Sequence, residues 1–82
     1  MNYTDEQRTR IVELMEIVMN EATGGFADYA KTYAMASVEA LYMYGDKGLQ
    51  MQIPYVLSNL QHWRGDLAKS TKAELKKFLP KY

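Results

Sequence analysis

The sequence predicts an all-α fold, a compact bundle of three to four short helices forming one domain over residues 1–82. Three observations carry that prediction. Apolar residues recur at the three-and-four spacing of amphipathic helices. Glycine-containing breaks at Thr23-Gly24-Gly25, Gly45-Asp46-Lys47-Gly48 and Gly65 separate these runs. No stretch alternates apolar and polar residues as a half-buried strand would.

The first helix opens at Thr4. Thr4-Asp5-Glu6-Gln7 has the form of a capping box, and the two acids suit the positive end of the helix dipole. Ile11, Val12, Met15, Val18, Met19 and Ala22 then form one apolar stripe, widened by Leu14, while Glu13, Glu16 and Glu21 form a solvated face. Thr23-Gly24-Gly25 ends the helix.

The second helix is expected from about Phe26 to Tyr44. Its small residues Ala27, Ala30, Ala34, Ala36, Ser37 and Ala40 let neighbouring helices approach, and Ala34 to Tyr44 holds one charge, Glu39. A helix apolar nearly all round is central to a fold or covered by a second chain.

The third helix carries Ile53, Val56, Leu57, Leu60 and Trp63 on one face. Pro54 fits a first turn and disrupts an interior, so the spacing predicts a start or a bend between residues 49 and 54. The last helix begins at Asp66 or, if Thr71-x-x-Glu74 is its capping box, only at Lys72. It turns Leu67, Thr71, Leu75, Phe78 and Leu79 inward and ends at Pro80.

Composition narrows the chemistry. The chain has 82 residues, 48% of them hydrophobic and 24% charged, which is ordinary globular composition. A domain this short hides only about 60% of the surface its unfolded chain exposes, so association is a natural way to widen its stability margin. It has no cysteine, hence no disulfide framework, thiolate nucleophile or cysteine-ligated metal, and suits a reducing cytoplasm. No apolar run approaches the roughly 18 residues a membrane span needs. The opening residues lack the basic start and apolar centre of a signal peptide, so the expected location is cytoplasmic, without membrane contact.

A single histidine, His62, rules out a histidine pair for a metal, and Gly24-Gly25-Phe26 lacks the ending of a phosphate loop. Ser37, Ser58 and Ser70 lie within helical patterns and not on a strand-to-helix elbow. The expectation is a protein that is not an enzyme and needs neither cofactor nor metal.

Net charge is zero but unevenly placed. Residues 1–46 hold eight acids against three bases, and residues 47–82 seven bases against two acids, which leaves −5 and +5. The halves are expected to fold together and partly neutralise each other; the sharper alternative is a basic tail for nucleic acid or an acidic partner.

Four features remain as candidate sites. Tyr29, Tyr33, Ala34, Leu41 and Tyr44 on the second helix form a candidate self-association face, since tyrosine joins large apolar contact to a polar tip. On the third helix Gln52, Tyr55, Asn59, His62 and, if it continues, Asp66 fall within roughly 80°. With Trp63 beside them they form a candidate partner surface, unless they are simply a solvated helix face. Glu39 and Arg64, each on an apolar stripe, are a candidate buried ion pair; alternatively Glu39 faces water beside Asp28 and Thr32. Lys69, Lys72 and Lys76 share a side of the last helix and are candidate phosphate contacts, without an arginine among them to read a base edge.

The stretch Tyr55-Val-Leu-Ser-Asn-Leu-Gln-His-Trp-Arg-Gly resembles segments of small helical proteins from phage and mobile elements. The resemblance implies an accessory role and supplies no site residue. The leading expectation is therefore a non-catalytic interaction module acting through protein–protein contacts and forming a homodimer. The alternatives are a nucleic-acid accessory protein using the lysine face and a small inhibitor that blocks a larger protein through its acidic half.

Overall fold

The computed structural model describes residues 3–80; Met1, Asn2, Lys81 and Tyr82, which enter the charge and leader arguments above, lie outside the described residues. Four helices follow in order: α1 (Asp5–Glu21), α2 (Ala27–Tyr44), α3 (Asp46–Ser58) and α4 (Asp66–Lys76). Among the described residues there is no strand.

The start of α1 is local chemistry. The Gln7 amide donates to Thr4 Oγ1 at 3.1 Å and the Thr4 amide donates to Gln7 Oε1 at 2.8 Å, which closes the capping box. The helix ends at Ala22, whose amide still donates to the Val18 carbonyl. Ile11, Leu14, Met15 and Val18 are fully buried, with Val12 and Met19 at the edge of the stripe.

A one-residue joint, Gly45, connects α2 to α3, and these two helices make the closest packing in the molecule. Gly48 lies against Ala40, where a Cβ would overlap the Ala40 carbonyl. The alanines of α2 and this glycine let the two backbones touch.

The third helix departs from expectation. It begins at Asp46, before the predicted window, and runs through Pro54 to Ser58. Proline inside a helix costs about 3 kcal/mol. Burial of Leu49, Ile53 and Val56 outweighs that, at about 1.5–3 kcal/mol for each large side chain. The start is fixed by distant partners. Asp46 Oδ2 accepts from the Tyr3 amide at 2.7 Å and its Oδ1 accepts from Arg8 Nε at 2.7 Å. Arg8 also donates to Asp5 and to the Tyr3 carbonyl. Tyr3 itself is buried, its hydroxyl donating to the Phe78 carbonyl and its ring meeting Phe78 edge-on at 6.0 Å.

This latch has an electrostatic signature. Burial works against the Asp46 charge, but Arg8 and the Tyr3 amide outweigh it and hold the carboxyl below its usual range. Burial, then the Asp46 charge, push the Tyr3 hydroxyl above its usual range.

After Ser58 the chain leaves the helix in turns, so Leu60 and Trp63 reach the core from a connecting segment rather than from α3. The carbonyls of Leu60 and Trp63 both accept from Lys72 Nζ, at 3.2 and 2.7 Å. Gly24 passes beside this segment, and a Cβ there would press on the His62 carbonyl. The last helix begins at Asp66, not at Lys72; Thr71 is buried mid-helix and does not cap it. Leu67, expected inward, is exposed, while Ala68 and Leu75 enter the core. Arg10 grips Glu74 with two hydrogen bonds of 2.6 and 2.9 Å, tying α1 to α4 and holding the Glu74 carboxyl below its usual range.

Candidate interaction surface

The second helix is inverted in side-chain size: it buries small residues and exposes large apolar ones. Its buried positions are Ala30, Ala34, Ser37 and Ala40, all small. Its large side chains lie outward or at the edges: Tyr29, Met35, Tyr42, Met43 and Tyr44 are exposed, while Tyr33, Val38 and Leu41 are half-buried. A surface helix normally turns its polar side to water. The Cα radius of gyration, 11.6 Å, matches the about 12 Å expected of a folded chain this long, so the exposure does not come from loose packing.

Where α2 meets α3, Tyr29, Tyr33 and Tyr44 join side chains of the α3 region in one seam. The Tyr33 and Tyr55 rings stack at 5.5 Å. Phe26 lies 5.7 Å from His62 and 6.3 Å from Tyr29, ring centre to ring centre. Farther along, Tyr44, Lys47, Met51 and Gln52 line a hollow of about 370 Å³ floored by Ala40 and Gly48. Gln52 Oε1 is buried there without a hydrogen-bond partner. Asn59 caps α3, its Nδ2 donating to the Tyr55 carbonyl. From Gly48 to Trp63 the chain has no charged residue, although Met51, Pro54, Tyr55, Ser58, Gln61 and His62 are exposed.

Two residue sets expected on separate faces thus share one surface: Tyr29, Tyr33 and Tyr44 from α2 with Gln52, Tyr55, Asn59 and His62 from the α3 region. Other expectations are corrected. Ala34 is fully buried, because it sits at the α2 packing line and not on its rim. Leu41 lies on the opposite edge of α2, beside Val12 and Glu16 of α1. Trp63 is buried, since the turns after Ser58 swing it into the core, and the line from Gln52 to Asp66 is not one helix face.

Glu39 and Arg64 form no ion pair. Both are exposed, and Glu39 stands in water with Asp28 and Thr32. Of the three lysines, Lys69 and Lys76 are exposed, while Lys72 is half-buried and engaged with the carbonyls of the connecting segment. Sequence reasoning missed Phe26 and Met51. The signal for Met51 was legible, as it falls in the charge-free stretch. Phe26 is exposed at a position where its backbone takes the left-handed conformation, with φ of 68°.

Among the described residues no group of three or more histidine or acidic side chains is placed to hold a metal ion, and no helix is long and apolar enough to cross a membrane. Fold and surface together define a small four-helix protein with an aromatic seam whose one charged lining residue is Lys47. No protein family, curated protein or solved structure matches the chain.

Proposed function

We propose that this protein is a non-catalytic interaction module that pairs with a second copy of itself through the α2–α3 seam. The observation that carries the reading is the inverted α2, which buries its alanines and presents tyrosine and methionine. Interface cores are depleted of charge and enriched in aromatic residues and methionine, and the seam has that composition.

Size and charge favour a second copy as the occupant. Phe26, Tyr29, Tyr44, Met51 and Tyr55 are exposed at 57%, 61%, 67%, 58% and 54%. At roughly 200 Å² for each large side chain they present on the order of 600 Å². A stable interface takes about 800 Å² from each partner, a value the flanking Tyr33, Gln52, Asn59 and His62 approach. In a two-fold pair the same patch meets itself, so a patch whose one charge, Lys47, lies at the hollow's edge avoids most of the repulsion that a charged one meets. A second copy and a different partner would compete for this seam. The cysteine-free composition suits such an accessory protein in the cytoplasm.

Light scattering after size exclusion, over a concentration series, tests the proposal. The expected mass rises from 9.5 kDa to twice that value. Tyr29→Glu and Met51→Glu, both at exposed helix positions, are expected to keep the helical circular dichroism and to run as monomers. A wild-type chain that stays monomeric at millimolar concentration would overturn the self-pairing.

A further inference from the structure

A second surface, which adjoins the seam at Pro54, lies between α4, the end of α3 and the segment that follows it. Two adjoining hollows of about 680 and 620 Å³ run along it and share Gln61, Lys72 and Lys76. Arg64 and Lys69 line the first as well, and Asp66 is the one acid lining either. Among the described residues, no carboxylate pairs with Arg64, Lys69 or Lys76.

The ion pairs explain why this charge stays uncompensated. Among the described residues, the one ion pair that joins the acidic and basic halves is Arg10 with Glu74, a base of the acidic half and an acid of the basic half. It uses the minority charge of each half, so folding deepens the separation that was expected to be partly neutralised. On α4 itself Glu74 faces α1, and Lys69, Lys72 and Lys76 line the opposite edge.

We infer that this groove binds the phosphodiester backbone of nucleic acid, without reading its sequence, through Arg64, Lys69 and Lys76. Lys69 and Lys76 are seven residues apart, about 10 Å along the helix. Over that length one strand of a duplex presents about three phosphates, facing Lys69 and Lys76, with Arg64 just beyond the start of α4 to extend the contact. Lys72 contributes charge but is committed to the Leu60 and Trp63 carbonyls, so it shapes the wall of the groove. The concave form suits a charged polymer lying along it better than the plane of an anionic membrane. Arg64 is the only planar fork in the groove and the other cations are flexible point charges, which makes the contact insensitive to sequence.

Fluorescence anisotropy of a labelled 20-base-pair DNA duplex, titrated with the wild-type protein at several salt concentrations, tests this. The expected result is binding at low salt whose log–log salt slope is about −2.7, for three phosphates at about −0.9 each. Arg64→Gln with Lys69→Gln and Lys76→Gln should weaken binding at least tenfold while circular dichroism is retained. Lys31→Gln, at a position that lines neither the groove nor the seam hollow, should leave it unchanged. Lys72 is left intact, because its loss would loosen the connecting segment. No anisotropy change at 20 mM salt overturns the inference, as does binding that survives the triple substitution. Cosedimentation with vesicles containing phosphatidylserine, without duplex binding, overturns it in favour of a membrane surface.

Discussion

At the residue scale, Phe26 stands apart. It is the one non-glycine residue with positive φ among those described, in a conformation that costs an L-residue about 1–2 kcal/mol. Its ring gains little burial in return, being 57% exposed. Backbone strain of this kind collects where a side chain is held out for use. Asparagine takes the left-handed conformation more readily than a bulky residue does. Phe26→Asn is therefore expected to leave folding stability unchanged, or raise it by up to about 1 kcal/mol, while weakening self-association. Urea unfolding of dilute protein, set beside the concentration series, separates the two effects. A large loss of stability with pairing intact would make Phe26 a prop for His62 instead. None of this was legible in the sequence. Gly24-Gly25 reads as a helix stop, and how the next residue leaves that stop depends on the segment around His62, 36 positions away.

At the scale of elements, what could be read is what is decided locally. The α1 start was legible because Thr4 and Gln7 complete each other within one turn, and the end of α2 because Gly45 follows it directly. The α3 start was not, since Tyr3 and Arg8 anchor Asp46 from across the molecule. The polar face assigned to α3 failed past Ser58 for a related reason. Periodicity continues through Leu60 and Trp63, yet turns deliver these residues to the same core that a helix would have. The α2–α3 crossing gives a direct test. Gly48→Ala in an ordinary helix would stabilise by about 0.5–1 kcal/mol. Here the added Cβ meets the Ala40 backbone. The expected outcome is a loss of about 2–3 kcal/mol by denaturant unfolding. A gain would mean that the two helices part at little cost.

For the whole molecule, the seam's existence was half legible: the tyrosines and the charge-free stretch were visible, but not that folding sets them side by side. The charge imbalance was fully visible, while its deepening by Arg10 and Glu74 was not. The latch around Asp46 ties stability to pH. Asp46 and Glu74 titrate below their usual range when folded, so their contribution is present above the ordinary carboxylate pKa of about 4 and is lost as pH falls through the lower folded values. Thermal unfolding should show stability nearly flat from neutral pH to about 5 and falling below 4. Asp46→Asn should be less stable than wild type at neutral pH, with a shallower acid slope, the two curves converging at low pH. The Tyr3 hydroxyl, titrating above its usual range, adds a contribution that is lost as pH rises beyond about 10.

Tyr3 also has a consequence for synthesis. Its hydroxyl is bonded to a carbonyl 75 residues later in the chain. A ribosome adding about 5–20 residues each second makes Tyr3 wait roughly 4–15 seconds for Phe78. During that interval α1, α2 and α3 can be complete while the aromatic ring that closes the fold has nothing to close upon. Until Phe78 has been made, the nascent chain thus carries its apolar α1 stripe less than fully covered, and Tyr3 closes only once the segment after α4 has emerged.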